Sequence, residues 1–341
     1  MKIIRLIVSA ALFWGLMVSC NDGFSLFPDD APDVLYVLGC LDGTGGVQQV
    51  KIRRMIHGPG LTAEMINDPS YYLPDNPLHV YLQTGDGVRY SLDPVLHPPQ
   101  TGGPFSQDSN LIYELAGFNP LPGQACTLMI EDTLTGETAH ATIDAMPPAA
   151  FTYPVKESVL NTKFDFNNFR RPFHISYNSA PTAVWTITLK YVDYLTNGDN
   201  FCRKVTFCGQ PSGYLGREFT TEYLTGIFKK LIQEDPQVNF RMFYRFDFTV
   251  WTGDGVLAHY MGVAGRFTDN RKLSADNIEG GMGLFYATSH AVLKDVCPKE
   301  KFCEFLADTA ALQHLKFSRI PYTGIYTDPD SSLVNPFSFM K

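Results

Sequence analysis

Apolar and polar residues alternate with a period of two in several runs of this chain, the spacing of a strand with one buried face and one wetter face. In Val184–Asp193, Trp185, Ile187, Leu189 and Tyr191 fall on one face, and Thr186, Thr188 and Lys190 on the other. In Arg241–Trp251, Met242, Tyr244, Phe246, Phe248 and Val250 share a face opposite Arg241, Arg245, Asp247 and Thr249. Turn residues punctuate such runs at Asp42–Gly46, Asp132–Gly136 and Thr196–Asp199. A Gly-Asp-Gly triplet occurs twice, at Gly85-Asp86-Gly87 and Gly253-Asp254-Gly255, each time between β-favouring residues. Asp-Gly supplies the positive φ of a tight turn, so both triplets predict hairpins.

Only two segments switch to a helical period. Thr221–Glu234 places Tyr223, Ile227 and Leu231 at i, i+4 and i+8, with Pro236 to stop it, and Glu300–Leu315 aligns Phe302, Phe305, Leu306, Thr309 and Leu312. Closely spaced strands without alternating helices predict a mainly β protein: two β-sandwich domains, immunoglobulin- or transthyretin-like, with one or two helices in the C-terminal half. The prolines of Met146-Pro147-Pro148-Ala149-Ala150 set the boundary. The expected units are an N-terminal sandwich at 33–147, a C-terminal β-rich domain at 148–300, and a helix with an irregular tail at 301–341.

The first residues obey another rule. Lys2 and Arg5 lead into the apolar run Leu6–Val18 and then Ser19-Cys20, the layout of a secretory signal. About 13 apolar residues at ~1.5 Å each fall short of a ~30 Å hydrocarbon core, which weighs against a spanning helix. Met17-Val18-Ser19-Cys20 resembles a bacterial lipobox, which implies cleavage of residues 1–19, acylation of Cys20 and a tether over residues 20–32. Loss of the first 19 of 341 residues leaves 322, more than one core usually serves. The acidic residues Asp22, Asp29 and Asp30 in that tether resemble the surface-export signals of Bacteroidetes lipoproteins.

Composition narrows the function. With 45% hydrophobic and 18% charged residues the chain is globular. Its formal charge of −8 argues against nucleic acid and against docking on anionic lipid. The pairs Arg53-Arg54, Arg170-Arg171 and Lys229-Lys230 are isolated and read as solvated faces. Besides Cys20 there are Cys40, Cys126, Cys202, Cys208, Cys297 and Cys303, an even number outside the cytoplasm that permits three disulfides. Cys40–Cys126 is the first pairing to test, and the other four form two C-x5-C pairs. Free buried thiols are the alternative. Zinc has less support, because the spacing is wide and no histidine cluster accompanies it.

Catalytic signals are absent. The eight histidines form no H-E-x-x-H or i, i+4 pair, no G-x-S-x-G or S-x-x-K occurs, and Asp193, Asp199, Asp328 and Asp330 read as turn residues without a calcium-loop pattern. Neither a cofactor nor a metal is expected. Gly280-Gly281-Met282-Gly283 lacks the lysine of a phosphate loop and predicts a bulge or close backbone approach before the strand Leu284-Phe285-Tyr286. Asn277 and Glu279 are the polar candidates for a ligand contact beside it. Trp185 reads as core, whereas Trp251, opposite its strand's apolar face and next to a turn, is the aromatic candidate for binding.

Three stretches together resemble a family of Bacteroidetes lipoproteins, that of domain of unknown function 4249. They are Val34-Leu35-Tyr36-Val37-Leu38-Gly39 with Val47-Gln48-Gln49-Val50-Lys51-Ile52; Tyr113-Glu114-Leu115 with Leu121-Pro122-Gly123-Gln124-Ala125-Cys126-Thr127-Leu128-Met129-Ile130; and Asn277-Ile278-Glu279-Gly280-Gly281-Met282-Gly283-Leu284-Phe285. The resemblance covers residues 20–300 and implies a lipid-anchored β protein beside a TonB-dependent outer-membrane receptor. The expected function is thus a non-enzymatic binding or accessory partner of such a transporter, exposed on the cell surface, with its ligand unidentified. A fimbrial or adhesin-type subunit is the alternative, and a surface hydrolase the third reading.

Overall fold

A computed structural model describes residues 34–55, 78–97, 110–133, 135–153, 173–178, 180–209, 216–264, 276–296 and 301–329. The expected signal, Cys20, the tether, Cys297 and the end of the tail lie outside these residues. The first half holds β1 (Val34–Asp42), β2 (Val47–Met55), β3 (Leu78–Thr84), β4 (Arg89–Ser91), β5 (Asp93–His97), β6 (Asn110–Ala116), β7 (Ala125–Asp132) and β8 (Thr138–Asp144). Then come β9 (Phe151–Tyr153), β10 (Phe173–Tyr177), β11 (Thr182–Leu195), β12 (Asn200–Cys208) and β13 (Gly216–Phe219). The remaining elements are α1 (Thr221–Leu231), β14 (Val238–Gly253), α2 (Gly255–Ala264), β15 (Met282–Val296), α3 (Lys301–Asp308) and a 3₁₀ turn at Ala310–Leu315. The protein is mainly β, and the helices among the described residues lie in the C-terminal half.

One eight-stranded sheet, ordered β12-β11-β14-β15-β1-β2-β6-β5, runs through both halves of the chain. Its join is the parallel pair β1·β15, where Val37 lies opposite Gly283 and Leu41 opposite Ala287. Gly283 makes the join feasible: its φ is +123°, and a Cβ there would collide with the Val37 carbonyl. The expected close approach at Gly280–Gly283 is therefore a β1 contact. Gly280 likewise has a φ of +75° and leaves no room for a Cβ beside the Thr138 carbonyl.

Two cores lie side by side on one face of this sheet. A four-stranded sheet, β4-β3-β7-β8, packs Val80, Leu82, Leu128 and Ile130 against Val37, Leu41, Val50 and Phe285. The second core gathers Trp185, Ile187, Leu189, Phe246, Phe248 and Val250 under α1, α3, the 3₁₀ turn and the small sheet β13-β10-β9. Strand β15 serves both, since Phe285 and Ala287 enter the first and Ala291 and Leu293 line the second with the same parity. On the opposite face α2 covers Val184, Trp251, Leu284 and Tyr286.

Helix α1 begins where expected, with Thr220 as N-cap accepting from the Tyr223 N–H. Its deepest residues are Leu224 and Phe228, while Tyr223, Ile227 and Leu231 flank them. Two expectations are corrected. Pairing of Lys190 with Arg245 and of Tyr191 with Phe243 leaves Tyr244 as a β-bulge, so Arg241 and Phe243 turn to the core and Tyr244 faces outward, stacked on Tyr326 at 4.9 Å. And Gly253-Asp254-Gly255 is no hairpin: it ends β14 and starts α2.

Candidate functional site

Among the described residues, an open cleft of about 550 Å³ lies at the edge of the N-terminal sandwich, where β6 ends and β4 is the outermost strand of the facing sheet. Gly117, with φ +74°, turns the chain away from β6 and sends Phe118 back into the core, 7% exposed. Gln48, itself buried, fixes this corner: its Nε2 donates to the carbonyls of Phe118 and Asp42, both at 3.2 Å, and its Oε1 accepts from the Asp42 N–H. Tyr90 on β4 tilts its ring against Phe118 at 4.8 Å and stays 37% exposed.

The far rim is the loop Leu121–Gln124. Gln124 Oε1 accepts from the Leu121 N–H at 3.0 Å, the Gly123 N–H donates to the Ala145 carbonyl, and the Ala145 N–H donates in return to the Gln124 carbonyl. These bonds hold the loop while Leu121 stands 68% exposed. Thr84 and Asn119 complete the polar lining. The cleft thus combines ring and aliphatic carbon with neutral amide and hydroxyl groups on a fixed backbone. The sequence marks this loop only as a turn into β7; its one further signal is an apolar residue between two prolines, Pro120-Leu121-Pro122.

A second cavity, about 450 Å³, lies beside Tyr191, Asp193, Arg203 and Arg241. Its two arginines are both engaged by Asp193, while Glu234 and Asp235 add negative charge to the rim. Arg241 is 3% exposed and donates to Asp193 at 2.8 Å and to the Leu315 and Gln233 carbonyls at 2.9 Å. Arg203 adds a contact to Asp193 at 3.4 Å. Asp193 is therefore a buried strut within β11 and not a turn residue. Burial beside Asp193 pushes the Tyr191 phenol up to about 12.

The three ligand-contact candidates from sequence each make contacts within the fold. Trp251 is 4% exposed under α2, and its ring stacks on His290 at 4.3 Å, out of reach of any external ligand. Asn277 clips β15: its amide donates to the Phe285 carbonyl at 2.7 Å and its Oδ1 accepts from the Phe285 N–H at 2.9 Å. Glu279 bridges to His140 through paired backbone bonds and a 3.1 Å contact between carboxylate and ring.

Near Trp251, Thr44 and Asp42 approach His290 and look like parts of a catalytic relay. The Thr44 hydroxyl is 2.9 Å and the Asp42 carboxylate 3.8 Å from the same ring nitrogen, Nδ1. A relay needs the carboxylate on one nitrogen and the nucleophile on the other. This trio instead staples the β1–β2 turn to β15.

Cys40 and Cys126 do not form the expected disulfide. Cys40 packs under α2 on one face of the large sheet and Cys126 lies in the sandwich core on the other. Burial pushes the Cys40 thiol up to about 12, against a 3.3 Å contact with the Thr288 hydroxyl, and the Cys126 thiol up to about 11. Cys202 and Cys208 are free and sit on one strand, six residues and roughly 20 Å apart, so their C-x5-C spacing closes no loop. Cys303 is buried in the C-terminal core, and its spacing partner Cys297 is outside the described residues.

Among the described residues no group of three or more His, Cys, Asp or Glu is placed to hold a metal ion, and no helix is long and apolar enough to cross a membrane. Comparison of the chain with known proteins finds no matching family model and no matching curated protein.

Proposed function

We propose that this chain is a lipid-anchored outer-membrane protein that holds a ligand without transforming it, beside a TonB-dependent transporter. The observation that carries the reading is where the cleft lies relative to the anchor. Thirteen residues separate Cys20 from Val34, the first residue of β1. Strand β1 then runs nine residues, roughly 30 Å, to Asp42. Val47 at the start of β2 pairs with Ala116 at the end of β6, so the cleft around Gly117–Asn119 lies at the Asp42 end. It therefore lies at the end of β1 opposite Val34, where the described chain begins.

Acylation of Cys20 confines the chain to the membrane and raises its effective concentration beside a membrane-embedded partner. The transporter as partner draws support from the likeness of the three sequence stretches to the Bacteroidetes lipoprotein family. A non-catalytic role draws support from the His290 arrangement and from a cleft lined by neutral groups. Detergent pull-down from native membranes tests the reading. The wild-type chain is expected to bring down a TonB-dependent receptor in fixed ratio, and Cys20→Ala to lose both the membrane and the receptor. Recovery of the wild-type lipoprotein alone would contradict it.

A further inference from the structure

We infer that the cleft between Tyr90 and Leu121 binds a neutral oligosaccharide. The inference rests on the proposal above that the cleft is the ligand-holding surface, and it names the ligand's chemistry.

Charge is the first argument. Among the described residues lining the cleft, none carries a formal charge, and the polar side chains are Thr84, Tyr90, Asn119 and Gln124. A carboxylate, phosphate or ammonium group entering it would give up hydration with no counter-charge in return. Shape is the second. The exposed part of the Tyr90 ring, propped on Phe118, and the exposed Leu121 side chain give the cleft apolar surface, and Asn119 and Gln124 add amide groups to the same lining. A pyranose ring matches that combination, because it presents a face of C–H bonds to an aromatic ring and a rim of hydroxyls to amide and carbonyl groups.

Size and rigidity agree. A volume of about 550 Å³ falls within the ~300–1,000 Å³ of small-ligand pockets. The cleft is open rather than enclosed, so a sugar bound there need not be a single ring. The corner is already held by Gln48 and by the paired bonds between Gly123, Gln124 and Ala145, so little ordering remains to be done on binding. A peptide added as a strand is disfavoured, since the adjacent edge strand β4 spans only three residues.

The test uses the full chain in detergent and a panel of neutral tri- to hexasaccharides of glucose, mannose, galactose, xylose and N-acetylglucosamine. Glucuronate- and sulfate-bearing counterparts and a neutral decapeptide serve as competitors. At least one neutral oligosaccharide is expected to bind by calorimetry. Tyr90→Ala should weaken it about tenfold and Tyr90→Phe by no more than about threefold, the difference expected of a stacking contact. Leu121→Arg, at an exposed site that leaves folding intact, should weaken it about tenfold as well. Absence of binding across the neutral panel, preference for a charged member or the peptide, or binding indifferent to Tyr90→Ala and Leu121→Arg would each overturn the inference. A transporter recovered by pull-down with no oligosaccharide bound refutes this inference alone. An oligosaccharide bound with no transporter recovered refutes only the partnership.

Discussion

The triplets Gly85-Asp86-Gly87 and Gly253-Asp254-Gly255 share a sequence and build opposite things. At the first, Gly87 takes φ +87° and the Thr84 N–H donates to the Val88 carbonyl, closing the β3–β4 hairpin that sets Tyr90 at the mouth of the cleft. At the second, Asp254 is half-buried: Oδ1 caps α2 by accepting from the Leu257 N–H, and Oδ2 accepts from the Ala287 N–H of β15, both at 2.8 Å. The residues after each triplet decide its use. Val88-Arg89-Tyr90 continues an alternating strand, whereas Val256-Leu257-Ala258-His259-Tyr260-Met261 is nearly all apolar and finds its burial as a helix on the sheet's back face. One copy leaves an aromatic residue open to a ligand, and the other lays a lid on Trp251.

The two triplets should part most widely at their aspartates. Asp254→Ala removes a helix cap and leaves the buried Ala287 N–H unmet, which should cost about 3 kcal/mol in urea unfolding. It should also uncover Trp251 to iodide quenching and let maleimide reach Cys40, while the exposed Cys208 labels equally in both proteins. Asp86→Ala should do much less, because Asp86 is exposed and its two bonds, to Thr84 and Val88, stay within one tight turn. Equal losses at the two sites would contradict the assignment.

The glycines sharpen the contrast with opposite signs. Gly87→Ala forces a side chain into the left-handed region and should cost about 1 kcal/mol. Gly255 has open space around it at the start of α2, so Gly255→Ala should gain about 0.5 kcal/mol. Urea midpoints of the two variants measure both changes.

The smallest effect is in pH dependence, and its sign again differs. Burial raises the Asp254 carboxyl above its ordinary value despite three backbone donors. The folded chain therefore holds that proton better than the unfolded one, and the wild type should gain stability relative to Asp254→Asn as pH falls through that raised value toward the ordinary 3.8. The Thr84 hydroxyl and the Val88 N–H lower the Asp86 carboxyl, so the wild type should lose stability relative to Asp86→Asn as pH falls from 3.8 through the lowered value. Urea midpoints between about pH 7 and pH 3 read both.

Much of the fold was legible because it is local. The turns at Asp42–Gly46, Asp132–Gly136 and Thr196–Asp199 each join antiparallel neighbours, and the stripe of Phe302, Leu306 and Leu312 marks a helix and 3₁₀ turn packed on the C-terminal core. The parallel pairing of β1 with β15 was not legible, since Val37 and Gly283 are 246 positions apart and nothing local selects the partner. The bulge at Tyr244 was hidden for a different reason. The alternation of Phe246, Phe248 and Val250 extends on paper through Tyr244 and Met242, and the change of phase shows only in the fold, in the shifted register against β11 and the buried Arg241–Asp193 pair.

The site was the least legible part. Position beside a turn made Trp251 look exposed, yet the apolar helix just after it provides the cover, while Tyr90 and Leu121 gain their meaning from two strands and a loop that meet only in the fold. Asn277 spends its amide on β15, and Glu279 touches His140 of β8 while its carboxylate stays largely exposed, contacts that no local sequence signal announces.

The central claim is that the cleft, and not the Trp251 face, is the working surface. A photoreactive phenylalanine analogue placed in turn at position 121 on the cleft rim and at position 259 on the exposed side of α2, then irradiated in native membranes, tests it most directly. A covalent adduct to glycan or transporter is expected from position 121 and none from position 259. Adducts from 259 with none from 121, or none from either, would contradict it.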